Sequence, residues 1–249
     1  MEHKKLVVYI PDFLPPIEPQ KEIFAGIAEI ETGEAKDEED LIARVSRADA
    51  VLLTLKTPMT RKIMESCPQL KIIGKYGVGT ENIDLEAATD LGIPVVNVPA
   101  MNSNAVAELT IGLILSVMRR IPEGKKHIAG GGWRDESFIG DELIGSRVGV
   151  VGYGEIAKRV IRKLQGFEIR EIFVFTESKG HEKPEFKNVT FTDLPNLLRE
   201  SDIVTLHKSL TPKSRGLIGR TELGFMKKTA YLINTSRGSL VDELELVKE

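Results

Sequence analysis

The stretch Arg147–Ala157, RVGVVGYGEIA, constrains this chain more than any other part of it. A short apolar run, Val148–Val151, breaks into Gly152, Tyr153 and Gly154, and a helix-like run follows from Glu155 to Leu164. The order is strand, tight glycine turn, helix, as in the opening of a nucleotide-binding βαβ unit. A Cβ at Gly152 or Gly154 would keep a pyrophosphate away from the backbone, and tight turns often need positive φ. The helix beyond aims unpaired N–H groups and the positive end of its dipole at that pyrophosphate. Ala157 takes the third place of the fingerprint, where helix and strand must pack closely. A glycine triplet by itself matches many surface turns. Here both flanks are right, and the reading is dinucleotide binding.

At 249 residues the chain is long enough for two domains. Leu6–Ile10, Ala50–Leu55, Lys71–Gly74 and Pro94–Val98 read as strands, with consecutive Val, Ile and Leu as in parallel strands covered on both faces. Glu18–Glu29, Glu38–Arg47, Arg61–Glu65 and Leu85–Asp90 read as helices, the last with Asp84 as N-cap and Gly92 as its stop. The acidic stretch Glu29–Asp40 reads as a solvated loop and helix start. The apolar run Ala105–Met118 contains Glu108 and ends at Arg119 and Arg120. It is too short and too interrupted to span a bilayer, and reads as a buried helix. Residues 121–146, with Gly130–Gly132 and Trp133, read as a loop. Beyond the fingerprint, strands are expected at Glu171–Phe175, Val189–Phe191, Asp202–Leu206 and Thr229–Asn234. A helix is expected at Leu194–Glu200, a turn at Thr235–Ser239 and a helix start at Asp242. The result is two α/β lobes joined by a long apolar helix.

Composition removes other classes. Hydrophobic residues at 41% and charged residues at 29% make a soluble, globular balance. A net charge of −3 leaves no electrostatic footprint for a nucleic acid or an anionic membrane. Cys67 is the single cysteine, so there is no intrachain disulfide framework and no metal cluster. A cytoplasmic setting fits, and the amino terminus runs straight into Leu6–Ile10 without room for a signal peptide.

A nucleotide-binding lobe normally ends its second strand on an acidic residue that pairs with the ribose hydroxyls. Glu177 lies 20 positions past Ala157, at the expected spacing. A carboxylate there favours NAD, because it repels a 2′-phosphate. Thr176 stands where Asp is most expected, and Lys179 is within reach of a phosphate, so NADP stays possible. Arg237 follows an apolar strand, on the side where parallel sheets place ligands. An arginine there can grip a carboxylate through two hydrogen bonds and polarise a neighbouring carbonyl. In a glycine-bounded turn, an arginine is by itself more often merely exposed.

Five motifs in order resemble the D-isomer-specific 2-hydroxyacid dehydrogenases, a family that includes phosphoglycerate, glyoxylate/hydroxypyruvate and D-lactate dehydrogenases. Lys71–Asp84 (KIIGKYGVGTENID) is similar to the family's substrate loop, and Gly92–Pro99 with Val106–Glu108 to the entry of its interdomain helix. Val148–Ala157 matches the cofactor fingerprint, Asp202–His207 with Leu210–Pro212 the next signature, and Asn234–Glu243 (NTSRGSLVDE) the catalytic-arginine motif. The resemblance implies fold class α/β, with a flavodoxin-like substrate lobe at 1–100 and a Rossmann NAD-binding lobe at 101–249 that includes the interdomain helix. It implies Arg237 as the residue that holds the substrate carboxylate and polarises its C2 oxygen. It implies that the backbone of Lys75, Tyr76, Gly77, Val78 and Gly79 cradles the carboxylate, with Val78 near the nicotinamide. Gly152 and Gly154, with the amides of Glu155 and Ile156, would meet the pyrophosphate. Thr176 or Glu177 would face the adenosine ribose, and His207, Lys208, Thr235 and Ser236 would line the cofactor cleft. The implied reaction is hydride transfer between NAD and C2 of a small 2-oxo or 2-hydroxy acid, in a homodimer built on the long apolar helix. Lys75 leans toward a doubly charged, phosphoglycerate-like substrate, and Tyr76 toward glyoxylate or hydroxypyruvate.

In the family a His moves the hydroxyl proton, a Glu bonded to that His raises its pKa, and both follow the arginine motif. No His follows His207 here. The expectation is a chain cut short within its second lobe, in which that acid/base remains unassigned. His3, His127 and His181 read as surface histidines, and His207 as a weak substitute. The alternatives are a non-catalytic NAD(H)-binding relative, such as a corepressor, or an inactive fragment.

Overall fold

The computed structural model describes residues 5–11, 17–54, 56–177 and 186–248. His3, Leu55, Ser178, Lys179, His181 and Glu249 lie outside the described residues. The chain forms two compact units, Met1–Met101 and Asn102–Glu249.

Along the first unit run β1 (Leu6–Ile10), α1 (Glu18–Phe24), β2 (Ala28–Thr32), α2 (Glu38–Val45), β3 (Ala50–Leu53), α3 (Arg61–Glu65), β4 (Ile72–Lys75), α4 (Leu85–Asp90) and β5 (Val95–Val96). The strands pair in parallel in the order β2-β1-β3-β4-β5, the flavodoxin-like arrangement. Tyr9, Leu53, Met59, Ile63 and Ile73 lie fully buried in its core. The Tyr9 hydroxyl stays satisfied by donating to the Gly33 carbonyl at 2.6 Å. Short polar side chains start the helices. Asp37 accepts from the Asp40 amide, Thr60 from Ile63 and Asp84 from Ala87, each cap contributing about 1 kcal/mol. Gly92, at φ +67°, lets the chain leave α4.

Several expectations change in this unit. The helix expected over Glu18–Glu29 stops at Phe24, and Ala28–Thr32 forms the edge strand β2. The acidic stretch is therefore partly strand. An edge strand alternates charged and apolar residues, as in Ala-Glu-Ile-Glu-Thr, so a search for consecutive apolar residues passes over it. The strand expected over Pro94–Val98 shrinks to Val95–Val96, and that over Lys71–Gly74 shifts by one residue to Ile72–Lys75.

The second unit runs α5 (Ser103–Met118), α6 (Ile121–Ala129), β6 (Arg147–Val151), α7 (Glu155–Leu164), β7 (Glu171–Phe175), β8 (Val189–Phe191), α8 (Leu194–Glu200), β9 (Ile203–Leu206), α9 (Arg220–Phe225), β10 (Tyr231–Asn234) and α10 (Glu243–Leu246). Its parallel sheet has the order β10-β9-β6-β7-β8, that of a Rossmann fold. Helices cover both faces. Val148, Val150, Val160 and Ile172 belong to one core cluster, and Val151, Phe173, Leu197 and Val204 to another. The chain's order reverses between β6 and β9, and a doubly wound sheet offers its ligand crevice at such a point.

Here too the sequence reading needs correction. Residues 121–146 are not all loop, because Ile121–Ala129 is helical. Pro122 falls in the first turn, where its missing N–H costs nothing, and Lys126 and His127 sit in the last. The α5 helix buries Ala107, Thr110, Ile111, Ile114 and Met118, but Leu109, Leu113 and Val117 stand exposed along its other side. The buried-helix expectation holds for one face only. No helix among the described residues is long and apolar enough to cross a membrane.

Candidate functional site

The glycine turn leaves β6 at its buried end, and its two glycines answer different demands. Gly152 has φ +103°, and a Cβ on it would stand 2.6 Å from the His207 carbonyl oxygen. The residue is therefore glycine because the chain leaving β9 passes against it, and not on account of a pyrophosphate alone. Gly154 has φ −83°, and nothing lies within 4 Å of where its Cβ would be. Among the described residues, its open side meets no protein atom. Among the described residues no side chain caps α7, so the first-turn amides, those of Glu155 and Ile156 among them, are left for a ligand at the positive end of the helix dipole. Ala157 is fully buried and lets α7 pack on the sheet and on α5.

The ends of β6, β7 and β9 enclose a cleft of about 680 Å³, within the usual size range of small-molecule sites. Gly152, Tyr153 and Gly154 form one wall, Thr176 and Glu177 another, and His207, Lys208 and Ser209 with Thr211–Lys213 a third. Lys208 donates to the Glu177 carboxylate across it at 2.5 Å. That hydrogen bond holds the Glu177 carboxyl below the usual carboxylate range, and the charges of Lys208 and Lys213 add to it. A hollow of about 340 Å³ in the first unit, beside Glu34, Asp37 and Lys56, lacks these features, and Lys56 there pairs with Glu34 at 4.0 Å.

His207 lines the cleft but is only 9% exposed. Its Nε2 lies 3.0 Å from the Thr205 hydroxyl, and its buried Nδ1 has no partner among the described residues. Burial pushes its pKa down to about 4. At pH 7 about one ring in a thousand then carries the extra proton, so it makes a poor substitute acid.

The arginine loop follows β10 and is stitched in place locally. Ser236 donates its amide to the Asn234 side chain at 3.0 Å, and Asn234 donates to the Arg237 carbonyl at 2.8 Å. The Ser236 hydroxyl donates to the Leu206 carbonyl at 2.8 Å, and the Thr235 hydroxyl meets that of Thr110 on α5 at 3.0 Å. The loop is thus fixed to β9 and to α5, while the Arg237 side chain is exposed, with Nη1 donating to the Ser236 carbonyl at 3.0 Å. Thr235, Ser236 and Arg237 do not line the cleft around Gly152.

In the first unit, the loop after β4 turns its amides outward. Val98 donates to the Gly77 carbonyl at 3.0 Å, and the Asn97 side chain donates to that of Val78 at 2.8 Å. Peptide planes are rigid and trans, so tying down these carbonyls points the N–H groups of Val78 and Gly79 the opposite way. Among the described residues, neither amide, nor that of Thr80, donates to anything. Successive free amides in a glycine-containing loop make an anion-binding nest. Lys75 does not join it from the solvent side, for it is 2% exposed and donates to the Thr54 carbonyl and, at 2.7 Å, to Asn82. The positive charge expected to greet a doubly charged substrate faces inward. Asn82 and Asn97 are the residues that sequence reasoning missed. Their signal was weak, since an Asn in a turn is ordinarily satisfied by its own loop.

Residues 111–249 match the profile described as the NAD-binding domain of the D-isomer-specific 2-hydroxyacid dehydrogenases. A D-3-phosphoglycerate dehydrogenase of Methanocaldococcus jannaschii is 38% identical over 225 residues, covering 90% of this chain and 43% of its own length. A glyoxylate reductase of Thermofilum pendens is 38% identical over 249 residues, covering 97% of this chain and 73% of its own. In structure, the chain resembles a D-lactate dehydrogenase of Aquifex aeolicus solved with NAD and lactic acid, with a TM-score of 0.86 and 26% identity over 97% of this chain and 72% of that one. The chain thus spans less than half the length of the phosphoglycerate dehydrogenase it matches. The chain belongs to the D-isomer-specific 2-hydroxyacid dehydrogenase family, and its second unit is built on that family's NAD-binding domain.

Proposed function

We propose that the protein transfers hydride between NAD and C2 of a small 2-oxo or 2-hydroxy acid. The observation that carries the reading is the pairing, in one chain, of a capless helix behind an open Gly154 with an arginine loop stitched to β9 and α5. The first-turn amides and Gly154 receive the pyrophosphate, and Thr176 or Glu177 meets the adenosine ribose. The side of Gly154 that no protein atom fills is what such a group requires. His207 and Lys208 complete the cleft. The bound nicotinamide supplies the hydride chemistry. Arg237 grips the acid and polarises the C2 oxygen, and the amides of Val78, Gly79 and Thr80 receive a carboxylate. NADP remains a second cofactor of this site, because Lys208 and Lys213 stand beside the ribose position. With Lys75 facing inward, its charge gives no reason to expect a phosphorylated acid over glyoxylate or hydroxypyruvate.

The test is to incubate the full-length protein with NADH and, in turn, glyoxylate, hydroxypyruvate and phosphohydroxypyruvate. NADH should be consumed with at least one of them. Tight NADH binding without turnover of any 2-oxo acid would overturn the catalytic reading and leave a dinucleotide-binding protein. The exposed side of α5, with Leu109, Leu113 and Val117, is proposed as a contact with a second copy. Light scattering should report a dimer that Leu113→Glu turns into a monomer. The buried, unpaired Cys67 fits a reducing cytoplasm.

A further inference from the structure

A lysine ammonium 98% removed from solvent demands an explanation, because burying a charge is costly unless acceptors surround it. At Lys75 the acceptors come from two different loops. One is the Thr54 carbonyl, just after β3, and the other the Asn82 side chain, beyond the amide nest. Asn82 extends the bracing, donating to the Thr57 carbonyl at 2.6 Å and to that of Thr54 at 3.4 Å. Met59 then pairs with the same stretch, donating its amide to the Asn82 carbonyl at 2.7 Å. The near end of the nest loop is held by the sheet, where Tyr76 donates to the Leu53 carbonyl at 2.7 Å. Its middle is held by Asn97 and Val98. Its far side is held to the loop after β3 by Asn82, directly and through Lys75, whose ammonium bridges Asn82 to the Thr54 carbonyl.

We propose that Lys75 is a positioning residue: its buried ammonium, bonded to Thr54 and Asn82, keeps the Val78–Thr80 amides in the orientation that receives the carboxylate of a 2-oxo acid. The inference rests on the functional reading above and deepens it. Because the charge points into the fold, it strengthens the binding of every 2-oxo acid equally and adds nothing for a second anionic group. Lysine's stem reaches across the loop, and its three donors match acceptors from two segments. A methionine fills the same length without a donor.

The experiment compares wild type with Lys75→Met, Lys75→Arg and Asn82→Leu in the full-length protein. Hydrogen bonds to a charged group contribute enough that Lys75→Met should raise KM for each acid on the order of tenfold. The factor should be the same for hydroxypyruvate and its phosphorylated form, with NADH affinity unchanged. Lys75→Arg should restore part of the loss. The double variant Lys75→Met/Asn82→Leu should be little worse than either single one, since both remove one brace. A loss confined to the phosphorylated acid would overturn the proposal, because Lys75 would then contact substrate. Lower melting points with unchanged KM would overturn it also, reducing Lys75 to a packing role. Should no 2-oxo acid turn over in wild type, hydrogen exchange at Tyr76–Thr80 still decides. Faster exchange in Lys75→Met supports the brace, and equal exchange refutes it whatever the substrate.

Discussion

Asp49, just before β3, and Asp202, just before β9, make the same contacts in their separate units. Asp49 accepts from the Val7 amide at 3.0 Å and pairs with Lys71 at 2.9 Å, while its own amide donates to the Val7 carbonyl. Asp202 accepts from the Arg147 amide at 2.9 Å and from Lys227 at 2.7 Å, while its own amide donates to the Arg147 carbonyl. Each aspartate thus bolts the start of its sheet's first strand to a neighbour and to a lysine ahead of the next strand. At the opposite ends of the strands the units part company. The first adds to its backbone bonds the side chains of Lys75, Asn82 and Asn97, which brace its loop. The second holds its turn by backbone contact, with Gly152 flush against His207. The ends that only carry the fold repeat one device, and the ends proposed to meet ligands do not. A side-chain brace can be removed with the sheet intact, whereas a backbone fit cannot.

The sharpest break of that contrast lies at Arg237, whose side chain is exposed while its loop is tied down. Arg237→Ala should lower kcat/KM by roughly 10²–10³-fold, the range found when one preorganised donor to developing charge is lost. Arg237→Lys should recover little, since a point charge cannot reproduce the fork. NADH affinity and melting temperature should stay near wild type, as measured by calorimetry and thermal unfolding. A comparable fall in stability would mean that the arginine holds its loop, contrary to the division drawn above.

The two glycines test the backbone fit itself. Gly152→Ala forces a side chain into positive φ and onto the His207 carbonyl, and should cost about 2–4 kcal/mol of stability as well as NADH binding. Gly154→Ala meets no protein atom and should leave stability within about 0.5 kcal/mol while still weakening NADH. Equal melting temperatures for the two variants would show that the turn is not held by close packing.

Much of this was legible beforehand, and the exceptions have a common cause. The strands at Glu171–Phe175 and Val189–Phe191 and the helices Arg61–Glu65, Leu85–Asp90 and Leu194–Glu200 could be read to the residue, because apolar runs and caps are local signals. The edge strand β2 and the helix α6 could not, since β2 alternates charge and α6 carries Pro122 and Gly124. The fingerprint glycines announced themselves, but the reason for Gly152 lies 55 residues away at His207. Lys75 was visible as a charge near a loop. Its inward direction depends on Thr54 and Asn82, and no spacing rule encodes that.

The aspartate bolts offer a smaller effect that tests whether the repeated device is equally firm. The Asp49 side chain is 15% exposed and that of Asp202 45%, so Asp49→Ala should cost more, about 2–3 kcal/mol against about 1 for Asp202→Ala. Burial raises the Asp202 carboxyl, but Lys227 and the Arg147 amide outweigh it and bring the pKa below 3.8. A lowered folded-state value means stability present above the unfolded pKa of about 3.9 and lost as pH falls through the folded value. The gap in melting temperature between wild type and Asp202→Asn should therefore be constant near neutrality and close below pH 4. A gap that widens in acid would reverse the sign and remove the ionised bolt.

The smallest expected effect concerns the cofactor, at the place where the Lys208 and Glu177 side chains meet across the second unit's cleft. Glu177 repels a 2′-phosphate, but Lys208 lies on it and offsets that charge. Selection for NAD by this pair should accordingly be weaker than by a lone carboxylate. Glu177→Gln leaves Lys208 for the phosphate and should raise the NADPH-to-NADH affinity ratio about threefold to fivefold, the scale of an exposed pair. The shift should shrink as salt rises, because screening acts within about 10 Å at 0.1 M. Glu177 itself should not titrate near neutrality, since the hydrogen bond from Lys208 holds its carboxyl below the usual carboxylate range. Fluorescence titration with both dinucleotides at two ionic strengths measures this. A ratio that does not move would place the ribose selector at Thr176, and would leave the Glu177–Lys208 pair as a second side-chain brace like that of Lys75.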